Sequence, residues 1–313
     1  MKIIKKLMQI ALAVFFFGLL STSAVLADDS DSEGWQFVQE NGRTYYKKGD
    51  IKEKAWRVID GKTYYFDHVS GEMVVGWQYI PFPSKGSTIG PYPNGMRLEF
   101  MPMPRWYYFN QDGVLQEFAG KQVLEAKTAT NTNKHHGEQY DSPAEKRVYY
   151  FEDQRSYHTL KTGWIYDEGH WYYLQKDGNF DARIDSLTVG ELVRGWTNDN
   201  SAWYYLDPTT AAMQTGWKYL GNKWYYLRSS GAMATGWYQD GSTWYYLDAE
   251  NGDMKTGWQY LGNKWYYLRS SGAMATGWFQ VNGKWYYAYS SGALAVNTTV
   301  DGYSVNYNGE WIQ

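Results

Sequence analysis

From Gly163 onward the chain is written in short runs in which aromatic or aliphatic residues occupy adjacent and alternate positions, punctuated by Gly, Asn, Asp and Ser. In extended backbone successive side chains point to opposite faces, so Trp224 and Tyr226 fall on one face and Tyr225 and Leu227 on the other. The runs are joined in pairs by Gly221-Asn222, Asp240-Gly241, Gly262-Asn263 or Asn282-Gly283, the dipeptides that tight hairpin turns prefer. Each pair is therefore predicted to be a β-hairpin. A second turn, such as Ser229-Ser230-Gly231 or Asn251-Gly252, leads to the next hairpin through Met213, Met233, Met254 or Met274. An isolated hairpin is marginally stable in water, so successive hairpins must stack and cover one another. The pattern predicts an all-β fold, a β-hairpin solenoid.

The repeat is exact enough to count. Thr215-Gly216-Trp217 recurs as Thr235-Gly236-Trp237, Thr256-Gly257-Trp258 and Thr276-Gly277-Trp278, a period of 20 or 21 residues. Seven residues after each of these tryptophans stands a Trp-Tyr-Tyr triplet, at Trp224, Trp244, Trp265 and Trp285, and the same spacing joins Trp196 to Trp203 and Trp164 to Trp171. The first half keeps the rhythm in degenerate form. Gly34-Trp35 leads to Thr44-Tyr45-Tyr46, Trp56 to Thr63-Tyr64-Tyr65, and Gly76-Trp77 to Trp106-Tyr107-Tyr108. The last pair is separated by an insertion holding Pro81, Pro83, Pro91, Pro93, Pro102 and Pro104, which reads as an exposed irregular loop. Val148-Tyr149-Tyr150 follows a polar stretch that contains His135 and His136, read as a solvated loop rather than a metal site. The expected organisation is a segment 1–27, degenerate repeats over 28–160 and a regular repeat module over 161–313.

The segment 1–27 has Lys2, Lys5 and Lys6, an apolar run from Ile10 to Leu20 and Ala27 before Asp28-Asp29, the signature of a secretory signal peptide cut after Ala27. That run is too short to span a membrane, and no other stretch is long and apolar enough. The end from Asn308 to Gln313 shows no hydrophobic tail or sorting signal, so retention on a cell is expected to be noncovalent. Removing the signal takes away three lysines and no acids and moves the formal charge from −3 to −6. Such a chain, without clustered Lys and Arg, is not expected to bind nucleic acid. There is no cysteine, so neither disulfides nor thiolate metal sites contribute. Aromatic residues make up 19% of the chain although its mean hydropathy is −0.62, so they must be organised rather than gathered in one core.

A solenoid interior accounts for the triplet tyrosines and the leucines, but generic filler would tolerate Leu, Ile or Val at some tryptophan positions, and none deviates. Trp217 and Trp224, with a tyrosine of the next hairpin such as Tyr245, would form three walls of a pocket with Met233 near its floor and no charged partner. A quaternary ammonium suits such walls because it donates no hydrogen bond and is attracted to aromatic faces, by about 0.5 to 2 kcal/mol per well-placed ring. The units Thr-Gly-Trp, Trp-Tyr-Tyr-Leu and Gly-Ala-Met resemble the choline-binding repeats of streptococcal surface proteins, closely from Gly163 to about Leu294 and loosely from Gly34 to Phe151.

That resemblance implies a left-handed hairpin superhelix binding choline or phosphocholine of wall teichoic and lipoteichoic acids. Each site would take two Trp from one hairpin and a Tyr from the next. The implied sites are Trp164 and Trp171 with Tyr204, Trp196 and Trp203 with Tyr225, Trp217 and Trp224 with Tyr245, Trp237 and Trp244 with Tyr266, and Trp258 and Trp265 with Tyr286. Trp278 and Trp285 are implied as choline-binding residues as well, although they lack a regular successor. Thr44, Thr63 and Val148 replace the second Trp in the loose half.

No hydrolase motif, Walker loop or metalloprotease motif is found, and Asp167-Glu168 lacks the apolar pocket a glycosidase acid needs. The chain is expected to be a non-enzymatic surface protein without a cofactor, secreted and held on the bacterial wall, its first half modulating a wall hydrolase or meeting a host protein. The alternatives are an adhesin that uses choline only as an anchor, and a glucan or other carbohydrate binder.

Overall fold

In a computed structural model the residues described are 34–81, 104–138, 144–153, 158–176 and 185–312. The segment read as a signal peptide and most of the proline-rich insertion lie outside them. The described residues contain β-strands, turns and one short 3-10 turn at Asp185–Thr188, with no α-helix. They fall into two compact units that divide between Leu160 and Lys161.

The second unit contains six hairpins of one design. Their strand pairs are Gly163–Asp167 with His170–Leu174, Gly195–Asp199 with Ala202–Leu206, Gly216–Leu220 with Lys223–Leu227, Gly236–Asp240 with Thr243–Leu247, Gly257–Leu261 with Lys264–Leu268, and Gly277–Val281 with Lys284–Ala288. A three-stranded sheet of Thr298–Val300, Tyr303–Val305 and Trp311–Ile312 ends the unit. The two-residue turns need left-handed backbone at both central positions, which Gly221-Asn222 and Asn282-Gly283 supply with φ of 54° and 63°, and 48° and 82°. In the fourth hairpin the ladder runs to Asp240 and Thr243, so the turn is Gly241-Ser242 rather than the expected Asp240-Gly241. Only Gly241 of that pair has positive φ, 58°, as a turn with Gly at its first central position requires.

What binds each hairpin to the one before it is the connecting segment. Met233 bridges to Leu227 of the hairpin it follows, while its N–H donates to the Trp203 carbonyl one hairpin earlier, at 2.7 Å. The same double engagement ties Met213 to Trp171, Met254 to Trp224, Met274 to Trp244 and Leu294 to Trp265. Gly272 lies over the Met254 side chain so closely that a Cβ there would overlap its sulfur. Leu174, Leu206, Leu227, Leu247 and Leu268, the last strand residue of five hairpins, are fully buried and form the unit's spine. At about 25 cal/mol per Å² each contributes about 2 kcal/mol of burial free energy.

The first unit is built from the looser repeats. Gln36–Glu40 pairs with Arg43–Lys48, and Ala55–Ile59 with Lys62–Phe66. Val74–Pro81 pairs with Pro104–Phe109, and Gly120–Glu125 with Lys146–Phe151. Pro81 and Pro104 are therefore not loop residues: they face each other at the open end of their ladder, where a missing N–H costs no interior bond. The histidines also depart from the solvated loop expected. Lys134–His135 pairs with Val74-Val75, His135 Nδ1 lies 3.8 Å from Glu72, and His136 Nδ1 shares a 2.8 Å hydrogen bond with Thr44 Oγ1. Burial lowers the pKa of His136 below its usual value.

Candidate functional site

The antiparallel register decides what each hairpin offers its neighbours. Trp217 stands opposite Tyr226 and Trp224 opposite Tyr219, so all four side chains share one face, while Tyr225 and Leu227 point to the other. Tyr225 accordingly meets Trp196 of the preceding hairpin, with ring centroids 5.0 Å apart. A hairpin thus presents two tryptophans forward and one tyrosine backward, and a complete site exists only between two of them.

This arrangement occurs five times with nearly the same geometry. Trp164 meets Tyr204 at 4.7 Å, Trp196 meets Tyr225 at 5.0 Å, Trp217 meets Tyr245 at 4.8 Å, Trp237 meets Tyr266 at 4.8 Å, and Trp258 meets Tyr286 at 4.9 Å, with interplanar angles from 62° to 67°. The two tryptophans of one hairpin stand nearly perpendicular with centroids 6.4 Å apart in the pairs Trp217–Trp224, Trp237–Trp244 and Trp258–Trp265. The second tryptophan is open to solvent throughout: Trp171, Trp203, Trp224, Trp244, Trp265 and Trp285 are all between 38% and 46% exposed. A buried filler would not be. Between Trp217, Trp224 and Tyr245 lies an open cavity of about 280 Å³, lined also by Met254 and Ser271.

The structure amends three features of these sites. The methionine at the Trp217 cavity is Met254, not Met233, because each connection threads back beside the tryptophan one hairpin earlier. The cages also have charged neighbours. Trp217 Nε1 donates to Asp240 Oδ2 and Trp164 Nε1 to Asp199 Oδ2, both at 3.0 Å, because an indole N–H beside a strand end needs an acceptor. Lys176 donates to Asp199 at 2.6 Å; this bond holds the carboxyl below its usual pKa and raises that of the lysine. Trp278 lacks a regular successor, as expected, but meets an irregular one, Tyr303, at 5.7 Å and 84°, and Tyr303 in turn meets Trp311 at 6.1 Å. Asp301-Gly302 is a hairpin turn signal that announces Tyr303, but the strands around it are too short to repeat the regular pattern.

The five cages have aromatic walls and face water. They hold no nucleophile paired with a base, and the described residues contain no cluster of three or more His, Asp or Glu able to hold a metal. Their chemistry is that of rings attracting a cation that needs no hydrogen-bond acceptor.

Comparison with known proteins gives consistent matches. A family profile described as a choline-binding repeat matches residues 214–256 and 255–298, and one described as a putative cell wall binding repeat matches 105–115, 162–180 and 195–209. The chain is similar to the solved structure of CbpJ from Streptococcus pneumoniae TIGR4, with 66% identity, 89% of this chain and 100% of that one covered, and a TM-score of 0.69. It is similar to choline binding protein F from Streptococcus pneumoniae, solved in the presence of a peptidoglycan analogue, with 56% identity, 90% and 100% covered, and a TM-score of 0.72. Among curated proteins nothing matches.

Proposed function

Since this chain belongs to the choline-binding protein family of streptococci, we propose that residues 161–313 hold it noncovalently on the bacterial wall by binding the choline of teichoic and lipoteichoic acids. The observation that carries this reading is the fivefold repetition of one Trp–Trp–Tyr arrangement whose second Trp stays exposed. Choline presents a permanent cation with methyl groups toward the rings and keeps its hydroxyl or phosphate end in water, which suits cages that are closed on three sides and open on the fourth. Each site is weak, about 0.5 to 2 kcal/mol per ring, and several linked sites give retention. The protein is proposed to be secreted and to have no catalytic activity of its own.

The full chain should bind a choline resin and be released by free choline but not by dextran. Release by dextran would favour a carbohydrate ligand and sink the proposal. For the first unit, modulation of a choline-dependent wall hydrolase is proposed because such an enzyme would occupy the same polymer. Buried Thr44 and Thr63 stand in its first two hairpins where the second tryptophan stands elsewhere, so those hairpins offer no cage that competes for the anchor. Lysis of choline-bearing walls by such a hydrolase should change when the protein is added at concentrations that leave choline in excess, and unchanged lysis would remove the idea.

A further inference from the structure

One hairpin of the first unit retains both tryptophans, and its rings are set as in the proposed choline cages. Trp77 and Trp106 have centroids 6.3 Å apart at 83°, against 6.4 Å and 80° for Trp217 and Trp224. Tyr149, from the strand pair that follows, meets Trp77 at 4.8 Å and 60°, against 4.8 Å and 62° for Tyr245 and Trp217. The hairpin's own cross-strand contacts agree as well, Trp77 with Tyr108 at 5.2 Å and Trp217 with Tyr226 at 5.2 Å. Yet Trp106 is 3% exposed where Trp224 is 43% exposed.

The difference has an occupant. The Nζ of Lys127 lies 4.3 Å from the Tyr149 ring centroid, 4.7 Å from Trp77 and 5.5 Å from Trp106, and Lys127 itself is 4% exposed. An ammonium within about 6 Å of three aromatic centroids is in cation-π range of all of them. We propose that Trp77, Trp106 and Tyr149 form a sixth cage of the choline type whose ligand is built in: Lys127 places its own ammonium where the others would receive a trimethylammonium group. The proposal rests on the reading of the second unit's cages as choline sites.

A tethered cation competes at a high effective concentration and loses no translational freedom on binding, so free choline does not displace it. Its consequence is that this cage is closed to the wall. The first unit keeps the packing energy of a liganded site whether or not choline is present, and its surface is left for other contacts.

The test is choline titration of the full-length protein by calorimetry, with wild type, Lys127→Ala and the double variant Lys127→Ala with Trp106→Leu. Lys127→Ala should take up one more equivalent of choline than wild type, and the double variant should return to the wild-type count. Should Lys127→Ala lose near-ultraviolet tryptophan signal without ligand, choline should restore it and the same concentration of sodium chloride should not. An unchanged count in a folded Lys127→Ala protein, or a lost signal that choline does not restore, overturns the proposal. A wild-type protein that binds no choline at all would instead overturn the reading of the second unit.

Discussion

Trp224 shows why a single ring can be tested without breaking the fold. It is 43% exposed, its backbone carbonyl rather than its side chain holds Met254, and its ring lies edge-on to Trp217. Tyr245 is comparable: it is half-buried, and its ring closes the third wall against Trp217. Replacing Tyr245 by Leu keeps the apolar bulk and deletes the ring's attraction for a cation. The expected cost at that site is about 1 kcal/mol, or about fivefold in affinity. Calorimetry with choline should show one site weakened and the melting temperature nearly unchanged; an unchanged isotherm would remove Tyr245 from the cage.

At the scale of the hairpin, one element serves two cages, because its faces look in opposite directions. The hairpin carrying Trp237 and Trp244 also carries Tyr245, which closes the cage of the hairpin before it. Changing Trp224 and Trp244 together to Ala therefore removes walls from two successive sites. Linked weak sites raise each other's effective concentration, so retention on choline-bearing walls should fall in the double variant by much more than in either single variant. A folded double variant retained as well as wild type would show that these cages are not the anchor.

The connections between hairpins contribute a pH dependence. Asp248 Oδ1 accepts the N–H groups of Asn251 at 2.8 Å and Glu250 at 3.0 Å, and Lys255 lies 2.9 Å from its other oxygen. The Asn251 bond foremost, then Lys255, pulls the carboxyl down to about 2. Because the folded value lies below the ordinary one of about 3.9, this contribution is complete above that pH and disappears as the pH falls toward 2. The acid-induced drop in melting temperature between pH 5 and pH 2 should be smaller in Asp248→Ala than in wild type.

For the whole molecule, binding at several sites couples the ligand to folding. A ligand that binds only the native state adds RT ln(1 + [L]/Kd) per site, about 1.4 kcal/mol per site at ten times Kd. The melting transition of residues 161–313 should thus rise steadily with choline and not saturate at the first occupied cage. That of the first unit should move little, since three of its strand pairs have Thr44, Thr63 or Val148 at the second-tryptophan position and the fourth has its cage filled by Lys127. Calorimetric scans across a choline series measure both, and equal shifts of the two transitions would contradict this division.

Hairpins, their turns except that of the fourth hairpin, which falls one residue later than Asp240-Gly241, and the pairing of two tryptophans with the next hairpin's tyrosine were legible in the sequence, because they depend on strand alternation and on turn residues within about 20 positions. Trp217, Trp224 and Tyr245 lie on predictable faces whatever happens elsewhere in the chain. Tertiary structure alone decided the rest. Met254 rather than Met233 lines the Trp217 cavity because the connections thread back past one whole hairpin. Asp240 reaches the Trp217 indole only across the stacking interface, and His135 and His136 lose their loop character by packing against Glu72 and Thr44. Lys127 reads as one polar residue in a polar stretch; its place among Trp77, Trp106 and Tyr149 depends on two strand pairs that close from distant parts of the chain. Local pattern specifies the walls of a cage, but what stands inside it is set by contacts between segments far apart in sequence, on which no periodicity bears.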